Sequence, residues 1–229
     1  MKCRAENIEE TAKSSISLIF GCVILAGIIV SYLPQHLKIF LTKNSEGLSP
    51  WFLMMGGVSS LYSFLNITIL SLQCCESLSD KGLCAHIALP VIQLLVQWVM
   101  FSITCILFFV YFPGSLKHKL PTDEGHDKQT PDPQITPEKT QYWKDSIKCA
   151  NILITNLVLT LAISIGLLLH REEEWAISGS VIWAKLIGYS SMVLTILQFL
   201  PQIRTTFQRK SCGALSIPML CVQAPGNYF

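Results

Sequence analysis

Charged residues are absent from six long stretches of this chain, and polar residues are sparse within them. No Asp, Glu, Lys, Arg or His occurs in residues 14–35, 47–75, 87–116, 149–169, 186–203 and 211–229. A helix that spans a membrane needs about 20 mostly apolar residues. The pattern therefore predicts helices over residues 16–40, 51–72, 85–112, 147–170 and 181–207, with a sixth helix that starts at Ala214.

The composition agrees with an integral membrane protein and excludes some other classes. The chain has 229 residues, of which 51% are hydrophobic and only 14% charged, and its mean hydropathy is +0.46. A soluble domain carries about 25% charged residues. The net charge of +2 is too small for a nucleic-acid surface, and no basic patch is interleaved with aromatic residues. The predicted fold class is therefore an all-α multi-pass membrane protein whose first partner is the lipid bilayer.

Two segments of the chain repeat each other at a constant spacing of 167 residues, as between Leu33 and Leu200. In each copy Leu-Pro-Gln lies near the end of an apolar stretch and precedes a short basic loop. The identical pairs are Leu33/Leu200, Pro34/Pro201, Gln35/Gln202, Phe40/Phe207, Lys43/Lys210, Leu48/Leu215, Ser49/Ser216 and Leu53/Leu220. A repeat of this kind predicts a membrane transporter built from duplicated helical units.

Lysine and arginine residues concentrate in alternate loops. Eleven of the 17 lie around the loop after the first predicted helix, in residues 113–148 and around the loop after the fifth. Because cytosolic loops carry an excess of Lys and Arg, the N-terminus is predicted to be extracytosolic. Three helices separate the two helices that carry the repeat, so both copies point in the same direction. This is a parallel repeat, with a pseudo-twofold axis along the membrane normal.

The repeat and the polar segments divide the chain into four parts. Residues 14–112 form a first three-helix unit, 147–170 an inverting helix and 181–229 an incomplete second unit. Residues 113–146 between them contain five of the 11 prolines and have no apolar period. This segment is predicted to be a flexible cytosolic linker.

The motif residues of the two copies resemble the PQ-loop proteins. The resemblance is carried by Leu33-Pro34-Gln35 with Gly47-Leu48-Ser49, and by the second copy over residues 200–216. This family includes lysosomal and vacuolar amino-acid exporters and is related to the SWEET sugar transporters. The resemblance implies a parallel-repeat 3+1+3 bundle of seven helices with a central solute path, in a vacuolar or lysosomal membrane.

The sequence departs from the family pattern in two ways. The chain stops at Phe229, early in the sixth predicted helix, so we expect a bundle truncated after about six helices. Proton-coupled lysosomal members resemble one another in placing an aspartate inside the membrane. No Asp or Glu lies within any predicted span of this chain, which does not favour carboxylate-mediated proton coupling.

The Pro-Gln pairs Pro34-Gln35 and Pro201-Gln202 are predicted to be hinges. A proline in a helix removes a backbone hydrogen bond, and in lipid the freed carbonyl needs a new donor. The neighbouring glutamine amide supplies a donor and an acceptor. A static kink is the alternative, but corresponding helix breaks in two repeats are typical of a transport site.

Polar side chains form stripes along several predicted helices. Such faces should turn inward, away from lipid. The predicted solute path contains Tyr62, Asn66, Gln93, Gln97, Tyr189 and Gln198, with Asn66 the first choice because an amide suits a zwitterionic or hydroxylated ligand. The alternative is that these residues join helices to one another, as small and polar residues commonly do in membranes.

The cysteines and histidines do not indicate an enzyme or a metal site. A disulfide from Cys84 to Cys75 or Cys74 would form on the predicted extracytosolic loop in an oxidising lumen. No Cys/His spacing fits zinc, and nothing resembles a nucleotide loop or a buried nucleophile–base pair. We therefore predict no enzymatic activity, no cofactor and no metal.

The sequence favours a secondary transporter of a small polar solute, an amino acid by resemblance, acting by alternating access. Two alternatives stay open. One is a membrane protein that does not transport, such as a sorting receptor or a scaffold, and the other is a SWEET-like sugar carrier. Assembly into a homo-oligomer also stays open.

Overall fold

Five long helices make up nearly all of the protein that the structure describes. The computed structural model describes residues 15–77, 81–114, 117, 140–201 and 203–204, and this part contains no strand. The helices are α1 (Ser15–Thr42), α2 (Pro50–Ser77), α3 (Lys81–Val110), α4 (Gln141–Leu169) and α5 (Glu174–Leu197). After a turn at Gln198, the chain is again helical up to Pro201, and residues 203–204 are helical as well.

The all-helical membrane fold predicted from the sequence is confirmed. Within the described residues, all five helices are long and apolar enough to cross a membrane. Each overlaps one of the first five stretches without charge. The sixth predicted helix, starting at Ala214, lies outside the described residues.

All five helices begin earlier than the sequence predicted, and the difference is largest for α4 and α5. Helix α4 begins at Gln141 and not at 147, because the Thr140 side chain caps it by accepting the Trp143 N–H at 3.3 Å. The predicted linker 113–146 therefore includes the first turns of a helix. Helix α5 begins at Glu174 and not at 181, and the Glu174 carboxylate lies in its first turn, where a negative charge is favourable.

Helix α2 lies at the centre of the arrangement. It packs against α3, α4 and α5, while α1 packs against α3, and α4 also contacts α5. Half of the apolar window of α2 is buried, against 11–22% in the other four helices. A pair of glycines in α2 allows this close packing. A Cβ atom at Gly57 would lie 2.9 Å from Leu153 of α4, and one at Gly56 would collide with the Phe101 ring of α3.

A buried apolar cluster fills the end of the bundle where α1 and α3 end and α2 and α4 begin. Its buried members are Tyr32, Ile39, Leu48, Phe52, Leu53, Phe101, Cys105, Phe108 and Phe112. Tyr142 and Trp143 of α4 pack against it, with the Trp143 and Phe112 ring centroids 4.7 Å apart. The Lys117 ammonium group lies 5.0 Å from the Trp143 ring centroid, which is a cation–π contact.

The connection between α1 and α2 is fixed to the same end of the bundle. Ser45 is fully buried, and its backbone N–H donates to the Tyr111 carbonyl at 3.1 Å while its hydroxyl donates to the Phe108 carbonyl at 3.0 Å. Gly47 has φ 102°, a left-handed conformation that glycine adopts without strain. The loop of the first motif copy is therefore a fixed part of the fold.

Helix α4 holds this loop from the other side. The Tyr142 hydroxyl donates to the carbonyl of Leu48, which is almost fully buried. The backbone N–H of Thr140 donates to the Lys117 carbonyl at 3.1 Å, so the two described ends of the α3–α4 connection meet.

We expect the Tyr142→Phe variant to be less stable by about 1 to 3 kcal/mol, because it leaves the buried Leu48 carbonyl without its donor. Thermal unfolding of the purified protein in detergent measures this difference. Tyr111→Phe is the matched control, since no hydrogen bond of the Tyr111 hydroxyl occurs within the described part of the chain. Equal stability of Tyr142→Phe and the wild type would contradict the assigned role of this bond.

Candidate functional site

A cavity of about 540 Å³ lies between α1, α2, α3 and the end of α5. Its size is in the range of about 300–1,000 Å³ that small-molecule sites occupy. Polar side chains supply much of the lining: Ser31, Ser59, Ser60, Ser63, Gln93, Gln97, Thr195 and Gln198. Because α1 contains the first Leu-Pro-Gln copy and α5 leads into the second, the cavity lies beside both copies of the sequence repeat.

Aromatic rings line one end of this cavity. Tyr32 is the last lining residue of α1, Phe52 the first of α2, Phe101 the last of α3 and Phe199 the last after α5. Successive membrane helices run in opposite directions, so these four positions lie at the same end of the bundle. This is the end that the buried apolar cluster fills.

The four rings form a continuous series, which we call the ring chain. The centroid distances are 6.4 Å from Tyr32 to Phe101, 6.0 Å from Phe101 to Phe52 and 6.1 Å from Phe52 to Phe199. All three lie within the range of favourable aromatic pairs. Tyr32 and Phe199 occupy the same position in the two sequence repeats, directly before Leu-Pro-Gln.

Sequence reasoning did not single out the ring chain as part of the site. The signal that could have found it is the repeat itself. A spacing of 167 residues pairs Tyr32 with Phe199, and both copies therefore carry an aromatic residue at one position. Phe52 and Phe101 carry no comparable sequence signal, because aromatic residues are common in apolar spans.

Three of the six predicted path residues line the cavity: Gln93, Gln97 and Gln198. The Gln93 amide donates to the Gly21 carbonyl at 2.8 Å and so joins α3 to α1. No hydrogen bond joins the Gln97 or Gln198 side chain to another residue in the described part of the chain. Both amides therefore have hydrogen-bonding capacity left for a solute.

Tyr62 and Asn66 do not line the cavity; the structure places them at contacts between helices. The Tyr62 hydroxyl accepts the Asn156 amide N–H of α4 at 2.8 Å. The Asn66 amide donates to the Ala184 carbonyl of α5 at 2.6 Å. A Cβ atom at Gly188 would lie 2.7 Å from the Asn66 amide nitrogen, so this glycine permits the close approach. For these two residues the structure matches the alternative in which polar groups join helices.

Tyr189 also lies outside the cavity. Its side chain is 71% exposed on α5, among the described residues, while Ile187 and Ser191 beside it on the helix are buried. The sequence pattern could not separate these faces, because α5 has polar residues on more than one of them.

The predicted polar stripes of α2 and α5 meet each other. The Ser63 and Ser191 hydroxyls are 2.6 Å apart, and the Ser59 and Thr195 hydroxyls are 3.1 Å apart. Ser191 also donates to the Ser59 carbonyl at 2.9 Å. Since each hydroxyl has one proton, Ser63 donates to Ser191 in this arrangement. The bonds join α2 to α5 at the wall of the cavity, which Ser59, Ser63 and Thr195 line.

The first predicted hinge lies inside a helix. Pro34 is within α1, so the carbonyl four residues earlier lacks its usual backbone donor. Gln35 beside it is 1% exposed. Pro201 lies in the helical segment after α5, and the Gln202 side chain lies outside the described residues.

His36 connects the first motif copy to α3. Its Nε2 atom lies 3.1 Å from the Met100 carbonyl oxygen and 2.9 Å from the Thr104 hydroxyl. Because a carbonyl only accepts, Nε2 carries the proton in this contact. A single histidine at a predicted helix end gave no signal of this partner, which lies 64 residues away in the chain.

The predicted disulfide involves a residue that is oxidised in the structure. Cys75 is disulfide-bonded. The Cys84 and Cys74 side chains lie outside the described residues, so the pairing of Cys75 with Cys84 stays a prediction. Among the described residues, no group of three or more His, Cys, Asp or Glu side chains could hold a metal ion.

Within the described residues, five helices long and apolar enough to span a membrane and a polar cavity among four of them are typical of a multi-pass membrane protein of the transporter type. The model of the PQ loop repeat matches residues 16–84 and 183–229, and the chain belongs to this family. It is also similar to an uncharacterized protein of Schizosaccharomyces pombe. The two are 28% identical over 216 residues, which cover 93% of this chain and 68% of the yeast protein. No solved structure matches the chain.

We expect Asn66→Ala to destabilise the contact between α2 and α5 by about 1 kcal/mol, a typical value for a hydrogen bond between membrane helices. Thermal unfolding in detergent micelles measures the change. Asn151→Ala is the matched control, because Asn151 is exposed on α4 and the same substitution removes no contact between helices. The prediction is wrong if both variants lose the same stability.

Proposed function

We propose that the protein is a secondary transporter that moves a small polar solute across a membrane by alternating access. The observation that carries this proposal is the polar cavity at the contact between two repeat units, each with a Leu-Pro-Gln segment beside it. Binding sites of transporters with internal repeats occupy this position. An amino acid in a vacuolar or lysosomal membrane is the substrate and location that the family resemblance favours.

The motif prolines are proposed to act as hinges. Tyr32 and Phe199 are the last residues of their helical segments that line the cavity. Pro34 and Pro201 come two positions after them in the sequence. A bend at either proline would therefore move a ring that lines the cavity. Because the two helices point in the same direction, matched bends would act on the same end of the cavity.

The ring chain is proposed to be the gate at that end. Its outer members, Tyr32 and Phe199, belong to different repeat units, while Phe52 and Phe101 lie between them. Separation of the units would break the contact between Phe52 and Phe199 and open the cavity toward the α1–α2 loop. Lys38, Lys43 and the linker lysines favour the cytosol on that side.

A separate observation supports an extracytosolic location for the opposite end of the bundle, where α2 ends. Cys75 is disulfide-bonded near the end of α2, and stable disulfides form in oxidising compartments. Charge distribution and oxidation thus favour the same orientation, with the N-terminus extracytosolic. The lumen of a vacuole or lysosome would be the compartment that the α2–α3 connection faces.

A sugar carrier is the second candidate. The observation in its favour is the lining itself, in which amides and hydroxyls alternate with aromatic rings and no described lining residue is charged. Sugars offer many hydroxyls and apolar ring faces to such a surface. Competition between labelled amino acids and unlabelled sugars for uptake separates the two candidates.

We expect Pro34→Ala and Pro201→Ala to lose most of the flux while they keep normal expression. A proline changes the energetics of a helix by about 3 kcal/mol, so roughly a tenfold or larger loss is expected if bending limits the rate. Uptake of a labelled amino-acid panel into proteoliposomes measures it. Pro90→Ala is the control, since Pro90 lies inside α3 but outside the motif and is exposed.

Unchanged flux in both motif variants would rule out the hinge role while leaving transport intact. Uptake by the wild-type protein that equals uptake by empty liposomes for every amino acid and sugar would overturn the transport proposal.

We also expect Phe199→Ala to open the cavity toward the α1–α2 loop. A cysteine introduced by Ser60→Cys, which lines the cavity, reports this opening through a membrane-impermeant thiol reagent added on the loop side. Each ring pair contributes about 0.5–1.5 kcal/mol, so the labelling rate should rise about two- to tenfold. Labelling of the protein without Ser60→Cys is subtracted.

Phe64→Ala is the matched control for this experiment. The Phe64 ring stacks on Trp98 with centroids 6.2 Å apart, outside the ring chain. An equal rise in labelling in both variants would mean general loosening of the helices and would speak against a gate at Phe199.

A further inference from the structure

The hydrogen-bonding groups in the described lining of the cavity are all uncharged. Its polar atoms belong to hydroxyls and primary amides, and none of the described lining residues is charged. A solute with a net charge would therefore find no counter-charge among the described lining residues.

Two amides are available to a bound solute. Gln97 of α3 lies in the middle part of the lining, one turn from Phe101, and Gln198 lies next to Phe199. Within the described residues, neither side chain donates a hydrogen bond to another residue or accepts one from it. Each amide offers two N–H donors and a carbonyl acceptor, which match hydroxyl, amide and carbonyl groups.

Gly56 lets the Gln198 side chain and the Phe101 ring pack closely against α2 at the wall of the cavity. A Cβ atom there would lie 2.8 Å from the Gln198 amide oxygen and would collide with the Phe101 ring. The amide of Gln198 and the ring of Phe101 thus meet at Gly56, and both line the cavity there.

We infer that this cavity selects solutes of zero net charge, through the amides of Gln97 and Gln198, and rejects cations and anions. The inference rests on the proposed function and narrows its substrate to uncharged polar molecules and zwitterions with uncharged side chains. The physical reason is that a net charge loses its hydration inside the membrane and finds no opposite charge among the described lining residues. Gln97 is the specificity-determining residue that the experiment addresses.

The test compares solutes of nearly equal shape that differ in charge. Citrulline and arginine form a neutral and cationic pair, and glutamine and glutamate form a neutral and anionic pair. Glucose and glucosamine extend the comparison to sugars. The experiment uses proteoliposomes that contain the 229-residue chain. If the protein transports amino acids, we expect the neutral amino acid of each pair to be taken up about tenfold or more faster than the charged one, and if it transports sugars we expect the same of glucose over glucosamine.

A charge introduced at Gln97 should change this preference. Gln97→Glu keeps the size of the side chain and adds a carboxylate, so arginine should gain relative to citrulline, and glutamate should fall further. Gln141→Glu is the control, because Gln141 is exposed at the start of α4 and does not line the cavity. If the ratio of arginine uptake to citrulline uptake is the same in both variants, Gln97 does not determine the charge selectivity.

The outcomes separate the inference from the transport proposal. Transport of arginine as fast as citrulline, and of glutamate as fast as glutamine, would overturn charge selection while it supports transport. Selective thermal stabilisation by the neutral solutes without flux would support the cavity assignment and overturn transport. Neither stabilisation nor flux with any member of the panel would overturn both.

Discussion

The central constraint on this protein is that polar groups inside a membrane must find partners within the protein. Helix α2 shows how the constraint organises the bundle. Its stripe of hydroxyl and amide groups cannot face lipid, so it faces α5 on one side and the cavity on the other. Glycines at positions 56 and 57 bring α3 and α4 close to the same helix. Helix α2 is the most buried of the five described spans, and the other helices take their places around it.

This constraint also explains what the sequence could and could not predict. Stretches without charge were sufficient to find five helices, because length and composition alone decide whether a segment can span a membrane. The sequence did not predict that α4 begins at Gln141 and α5 at Glu174. A threonine cap and an acidic first turn extend those helices into segments that are polar in composition.

The candidate site was predicted only in part for a related reason. Periodicity tells which residues share a face of one helix, but it does not tell what that face meets. Gln93, Gln97 and Gln198 face the cavity, whereas Asn66 meets a backbone carbonyl of α5. The difference is a property of the neighbouring helix and not of the asparagine. Only the repeat carried information across helices, and it pairs Tyr32 with Phe199 at the end of one cavity.

The hydrogen bond from Thr140 to Lys117 has a consequence for how the protein can vary. It joins the point where the chain leaves the helices to the point where it returns, so the distance between α3 and α4 does not depend on the number of residues in between. Insertions and deletions there would leave the geometry of the membrane bundle unchanged. Natural selection can therefore alter the length and composition of this segment freely, and an engineer can attach a reporter domain there without stretching either helix.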